Sequence, residues 1–256
     1  MAVTALKTPS KVRDLVSPEE WQARVDLAAF YRLVARHGMT DLNATHVSVR
    51  VPGTHDQFLL NPYGPMFSKI TASSLVKIDV DGNVILGDFP INAAGFCIHS
   101  AVHMARHDVD CVAHTHTRAG MAISALPQGI EFFSQKSMRF YNKIAYHDFE
   151  GIALDLDERE RLIRDLGEND ALILRNHGLL VCGRSVRHAW TLLYNLEKIS
   201  KVQLAVAATG AAVIQPGKEA CEHCHEQFAA GDRTYRQDGW ESQLRLLDRI
   251  DPSFRD

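Results

Sequence analysis

Two histidines separated by one residue follow a mainly apolar run at residues 109–113, where the chain reads His114-Thr115-His116. If this run forms a β-strand, side chains two residues apart point to the same face of the sheet, so both imidazoles face one point. Neutral imidazole nitrogens are common ligands of zinc and of other divalent transition metals. The spacing therefore predicts a metal site at this strand.

A catalytic zinc site has three protein ligands and one open position, so a third ligand must come from elsewhere in the chain. His177 is the candidate, because it lies in a short polar break between the apolar residues 171–174 and 179–182. Such a break is typical of a turn between two buried strands. A single histidine is more often a hydrogen-bonded structural residue, and it is the combination of His114, His116 and His177 that favours a metal centre.

The elements that must position these histidines are predicted from apolar spacing and from turn residues. The clearest helix start is Ser17-Pro18-Glu19-Glu20, which combines a capping box with a proline at the first helical position. Helices are predicted from there to Gly38, from Asn92 to His107, from Asp155 to Gly167, from Ser185 to Gly210 and around 244–247. Strands are predicted at 45–51, 58–60, 75–80, 84–86 and 144–146, besides those that carry the three histidines. Several strands are joined by hairpin-length turns, which indicates a mixed or antiparallel sheet covered by helices.

Composition limits the classes of protein that the chain can belong to. The chain has 256 residues, 46% of them hydrophobic and 23% charged, which predicts one sizeable domain. We place this domain at 17–213, with an N-terminal arm at 1–16 and a C-terminal helical extension at 214–256 that packs on the domain. A net charge of -3 with interspersed signs predicts no nucleic-acid partner. No apolar run approaches the ~20 residues of a membrane span, and no secretion signal is recognised, so we expect a cytoplasmic protein without a membrane partner.

These segments, in this order, resemble the class II aldolase/adducin family from about Trp21 to Gly210. The most specific pieces are the His114-Thr115-His116 strand after a helix, and Leu174-Arg175-Asn176-His177-Gly178. Residues 58–64 and 70–76 are more similar to adducin heads than to sugar-phosphate aldolases, which indicates an adducin-like branch of bacterial type.

The resemblance implies an α/β fold of the class II aldolase type, a three-layer α/β/α sandwich with a mainly antiparallel central sheet. It also implies a homo-oligomer, often a fourfold-symmetric tetramer. In enzymes of the family, the histidines that correspond to His114, His116 and His177 hold zinc or another divalent ion, and we expect zinc here, with iron and manganese as alternatives.

Two positions depart from the pattern of the family's aldolases. Those enzymes carry a metal-binding or proton-transferring carboxylate in the helix before the His-x-His strand, and that position is Gly95 here. Phosphate-binding members tend to carry a Gly-Asn pair in the segment 43–48, whereas this chain has Ala44, whose Cβ restricts the backbone. An uncharged or carboxylated substrate is therefore favoured over a phosphorylated sugar.

A candidate replacement for the missing carboxylate is His99, which lies one helical turn after Gly95 on the same helix face. We predict that His99 is the catalytic acid/base residue or a fourth ligand. The alternative is that His99, His103 and His107 form only the polar stripe of that helix.

Three functions remain open at this point. The first is a divalent-metal-dependent lyase, an aldolase or decarboxylase, which cleaves a carbon-carbon bond of a small oxo or hydroxy acid with the ion as Lewis acid. The second is a non-haem iron oxygenase that acts on an aromatic oxo acid, because three neutral imidazoles leave coordination positions open. The third is a non-enzymatic interaction domain like the adducin head. The presence of all three histidines, and of no lysine-rich tail in this sequence, favours an enzyme with a small-molecule substrate.

Overall fold

The computed structural model describes residues 10–42, 44–152, 156–234 and 238–256. Its centre is one eight-stranded sheet with the order β4-β3-β2-β1-β5-β8-β7-β6. The strands are β1 (His46–Arg50), β2 (Gln57–Leu60), β3 (Val76–Asp79), β4 (Val84–Leu86), β5 (Cys111–Thr115), β6 (Ile144–His147), β7 (Ala171–Leu174) and β8 (Gly178–Gly183). Neighbouring strands are antiparallel except β6 and β7, which are parallel. The predicted, mainly antiparallel sheet is confirmed.

Helices cover both faces of this sheet. They are α1 (Ser10–Arg13), α2 (Pro18–Arg36), α3 (Ala93–Ala105), α4 (Arg118–Ser124), α5 (Glu158–Leu166), α6 (Val186–Ala207), α7 (Lys218–Thr234) and α8 (Asp238–Ile250). Apolar residues of α2 and α6 form one core with one face of the sheet, and apolar residues of α3 and α5 form a second core with the other face. The three-layer α/β/α sandwich is therefore confirmed.

The two-residue period of β1 sorts its side chains between these cores. Val47 and Val49 belong to the core under α2 and α6. His46 and Ser48 therefore point to the opposite face, the one covered by α3, where both are buried. This face carries polar side chains at the end of the sheet where β1 begins.

Helix α2 begins and ends where the sequence predicts. The Ser17 hydroxyl accepts a hydrogen bond from the Glu20 amide at 3.1 Å, and Gly38 after the helix has a φ of +65°. The Glu20 carboxylate does not return to Ser17 as in a complete capping box. It accepts instead from buried Arg24 at 3.0 Å and from Lys77 at 2.9 Å, because it lies between the helix and β3.

The described C-terminal residues pack on the same core as α2. Trp240, Leu244 and Phe254 are buried in that core, and the Trp240 indole donates to Asp26 at 3.2 Å. The division into an arm, a domain and an extension stays a prediction, and residues 1–9, Asn43 and the predicted helix start at Asp155 lie outside the described residues. None of the described helices is both long and apolar enough to span a lipid bilayer.

Candidate metal centre

The three predicted histidines lie together at one end of the central strands. His114 is in β5, His116 follows the last residue of β5, and His177 lies in the turn between β7 and β8. Because β5 pairs with β8, with Thr115 opposite Leu179, this turn lies beside the end of β5. The Nε2 atom of His116 is 2.7 Å from Nε2 of His114 and 2.9 Å from Nε2 of His177. One ligand atom of each ring lies within 4.8 Å of the others.

The turn that presents His177 depends on two residues with special backbone requirements. Asn176 has a φ of +56°, a left-handed conformation that asparagine tolerates better than most residues. A Cβ on Gly178 would lie 2.5 Å from the Thr115 carbonyl oxygen, so only glycine lets the turn approach β5 this closely. The His177 amide donates to the Ser124 hydroxyl at 3.1 Å, which fixes the turn to the end of α4.

In two of the three rings, a hydrogen bond at Nδ1 leaves Nε2 as the free nitrogen. His114 Nδ1 donates to the Leu179 carbonyl oxygen at 2.9 Å, and His116 Nδ1 donates to the Asp41 carboxylate at 3.1 Å. In a neutral ring whose Nδ1 carries the proton, Nε2 carries a lone pair. Carbonyl or carboxylate partners at the second nitrogen are typical of histidines that bind metals.

Electrostatics keep His114 and His177 in the neutral form that a metal requires. Burial, together with the neighbouring imidazoles, lowers the pKa of His114 well below its usual range and lowers the pKa of His177 to about 4. When both rings are neutral with Nδ1 protonated, the Nε2 lone pairs of His114 and His116 face each other across 2.7 Å. This arrangement is repulsive, and a cation between the two nitrogens would relieve the repulsion. Tetrahedral zinc separates its nitrogen ligands by about 3.3 Å, so small side-chain rotations would accommodate the ion. The donor set therefore fits a divalent transition metal.

The site is partly exposed to solvent on one side. His114 is buried, whereas His116 and His177 are half-buried. Ligands with this graded exposure leave part of the coordination sphere accessible from solvent, as catalytic rather than closed structural sites do.

His99 lies near the trio but does not join it. Its ring is completely buried and contacts the His46 Nδ1 atom at 2.8 Å and the Ser48 hydroxyl at 2.5 Å. His46 in turn stacks against His114, with ring centroids 5.1 Å apart. The acid/base role of His99 stays a prediction, and in this arrangement His99 would act through His46.

Among the described residues, several side chains that contact the trio are not identified from the sequence. They are Asp41 before β1, His46 at the start of β1 and Ser124 at the end of α4. No spacing relates them to His114 or His177, because strand pairing and loop packing bring them there. The signal that the sequence offers is only that His46, like His114, is a polar residue at the end of an apolar strand.

A mainly antiparallel sheet between helical layers, with three converging imidazoles at the end of its central strands, defines the chain as an α/β protein with a candidate metal centre. A sequence profile of the Class II Aldolase and Adducin N-terminal domain matches residues 25–204. The chain belongs to this family, and the resemblance seen in the sequence is confirmed.

Relatives from both branches of the family are similar to this chain. An aldolase II superfamily protein from Pseudomonas syringae, of known crystal structure, is 46% identical, with a TM-score of 0.89 over 96% of this chain and 99% of that one. The structure of L-fuculose 1-phosphate aldolase from Glaciozyma antarctica is 28% identical, with a TM-score of 0.81 over 93% of each chain. Alpha-adducin from Rattus norvegicus is 34% identical over 89% of this chain, which corresponds to 33% of that protein.

Proposed function

We propose that this protein is a divalent-metal-dependent lyase of the aldolase or decarboxylase type, which cleaves a carbon-carbon bond of a small oxo or hydroxy acid. His114, His116 and His177 are the proposed ligands, and zinc is the proposed ion. The observation that supports this most is the convergence of three Nε2 atoms, two of them in rings whose Nδ1 atoms are held by acceptors.

A divalent ion bound at this point supplies a Lewis acid that polarises a neighbouring carbonyl group. The chain's own residues set the geometry. The Leu179 carbonyl orients the His114 ring, and the Asp41 carboxylate orients the His116 ring. Ser124 holds the backbone of His177, and the half-buried rings of His116 and His177 are accessible from the solvent side.

The loop before β1 supports a substrate without a phosphate group. The Ala44 amide donates to the Asp41 carbonyl oxygen at 2.8 Å, so this N–H is not free to bind an anion. The Cβ of Ala44 further limits how closely a phosphate approaches the backbone. A carboxylated or uncharged substrate is therefore favoured. The Glaciozyma antarctica relative is an L-fuculose 1-phosphate aldolase, so sugar phosphates must be included in the assay for comparison.

Elemental analysis of protein purified without chelators tests the metal centre. We expect about one divalent ion per chain in the wild type and a loss of most of it in His114→Ala, His116→Ala and His177→Ala. His223→Ala is the matched control, because His223 is an exposed histidine of α7. Unchanged metal content in the three variants would contradict the proposal.

A ligand screen tests the substrate class. Ligands that bind the native state raise its unfolding temperature, so the metal-loaded protein is screened against oxo acids, hydroxy acids and sugar phosphates. We expect the acids to stabilise it and one of them to be cleaved. Preference for sugar phosphates would refute the proposed substrate class, and oxygen consumption would favour the iron oxygenase instead. The homotetramer stays a prediction that light scattering tests.

A further inference from the structure

His46 has a position in the site that its place in the sequence does not reveal. It begins β1 and lies directly opposite His114 in the antiparallel pairing of β1 with β5. Its ring is 2% exposed and stacks on the His114 ring at a centroid distance of 5.1 Å and an interplanar angle of 32°. His46 therefore forms the inner wall of the trio site.

The His46 ring fills the space beside the first turn of α3. A Cβ built on Gly95 would lie 2.6 Å from Cδ2 and 3.1 Å from Nε2 of this ring. The ring is thus held between the Gly95 backbone on one side and His114 on the other.

A buried chain of hydrogen bonds holds the other edge of this ring. His46 Nδ1 contacts His99 Nε2 at 2.8 Å, and His99 Nδ1 contacts the Ser48 hydroxyl at 2.5 Å. The same hydroxyl contacts His103 Nε2 at 2.8 Å. All three rings are buried, and burial disfavours the charged form of an imidazole, so each ring is expected to carry a single proton.

The hydrogen bonding of His103, at the end of this row of hydrogen bonds, determines which group donates in each of them. Among the described residues, His103 Nδ1 has no hydrogen-bond partner. A buried N–H without an acceptor is rarer than an acceptor without a donor, so the His103 proton is expected on Nε2. His103 then donates to Ser48, Ser48 donates to His99, and His99 donates to His46 Nδ1. The His46 proton is consequently left on Nε2, the edge beside Gly95 and the trio.

We propose that His46 is a substrate-binding residue, whose Nε2–H donates a hydrogen bond to a carbonyl, carboxylate or hydroxyl oxygen of the molecule bound beside the trio. Ser48 and His99 are positioning residues, because they set the orientation and tautomer of His46. The ligand part of this inference rests on the proposed metal centre, whereas the tautomer does not.

Nitrogen NMR of the metal-free protein tests the positioning part. We expect His46 to be the Nε2–H tautomer in the wild type and a mixture of tautomers in Ser48→Ala. That change removes the hydroxyl through which the tautomer of His103 determines those of His99 and His46. An Nδ1–H tautomer of His46 in the wild type, or an unchanged spectrum in Ser48→Ala, would overturn it.

Calorimetric binding of acetohydroxamate, an oxygen-rich chelator of divalent ions, to the zinc-loaded protein tests the ligand part. His46→Gln keeps an N–H near the place of Nε2, whereas the shorter side chain of His46→Asn reaches only the place of Nδ1. We expect about tenfold weaker binding in His46→Asn and recovery to within about threefold in His46→Gln. His107→Asn, a change at an exposed histidine after α3, is the control.

The outcomes separate the two proposals. Zinc content should be the same in all these variants, and equal acetohydroxamate affinity in His46→Asn and wild type would overturn only the role of His46. Loss of zinc in folded His46→Asn would show that His46 is a ligand and would also overturn it. A wild type that binds no zinc would refute the proposed function, while the tautomer experiment still decides the positioning part. Circular dichroism confirms that each variant is folded.

Discussion

Gly95→Ala is expected to destabilise the protein, although alanine normally stabilises a helix relative to glycine. The added Cβ would lie 2.6 Å from Cδ2 and 2.8 Å from Cγ of His46, against ordinary contact distances of 3.4–4 Å. The ring has nowhere to move, because it is hydrogen-bonded to His99 and stacked on His114. One small methyl group therefore tests whether this packing exists.

The size of the effect follows from two opposing contributions. Overpacking in a fixed core costs about 1–3 kcal/mol. The gain in helix propensity is at most about 1 kcal/mol, and less in the first turn of α3. The free energy of unfolding should therefore fall by about 1–2 kcal/mol, which corresponds to a lower unfolding temperature by about 2–8 °C.

A double-mutant cycle in urea isolates the contact. In the His46→Ala background the clash is absent and the new methyl group fills part of the space left by the ring, so Gly95→Ala should stabilise by up to about 1 kcal/mol. The coupling free energy is then about 1–3 kcal/mol. Gly231→Ala in α7 is the matched control, because among the described residues nothing beyond the neighbouring backbone of its own helix lies within 4 Å of the added Cβ. It should stabilise by up to about 1 kcal/mol.

Two results would refute this reasoning. If Gly95→Ala stabilises the wild type as much as Gly231→Ala does, His46 does not occupy the space beside Gly95. If the two changes are additive to within about 0.5 kcal/mol, the residues do not interact.

Three further predictions concern other contacts of the site and the core. Asp41→Asn should weaken zinc affinity about 10–100-fold in a chelator competition, because its carboxylate orients His116; unchanged affinity would contradict that role. Glu20→Gln leaves buried Arg24 without its carboxylate and should lower the free energy of unfolding by about 3–5 kcal/mol in urea, so a loss below about 1 kcal/mol would contradict it. The pKa of His103 is about 3 in the folded protein against about 6.5 when unfolded, so the unfolded chain takes up the proton first and stability falls as pH drops below about 6.5. This contribution is on the order of 1 kcal/mol between pH 7.5 and 5.5, and a His103→Gln variant that keeps the full pH dependence of urea unfolding would disprove it.

The sequence predicts the trio because its geometry is largely local. The strand period places His114 and His116 on one side, and the break between two apolar runs places His177 in a turn. Helix α2 is predicted well for the same reason, since Ser17 and Gly38 mark its ends by local backbone chemistry. The sequence also predicts a capping box at Glu20. Its carboxylate binds Arg24 and Lys77 instead, because tertiary partners compete with local ones.

The remainder of the site depends on pairing between distant segments. His46 meets His114 only through the register of β1 with β5, and a shift of one residue would turn His46 to the other face. From the sequence alone, Gly95 indicates only the loss of a carboxylate side chain. In the folded protein its lack of a Cβ makes room for an imidazole from another strand. Spacing along one segment cannot reveal a substitution of this kind.

The position of His177 in the β7–β8 turn has a consequence for how the chain folds. His116 and His177 are 61 residues apart in sequence. An ion shared by them closes a long loop, and the entropy of such a closure is on the order of 4 kcal/mol. Loading with metal would therefore act as a removable cross-link, and chelation would loosen first the hairpin that carries His177.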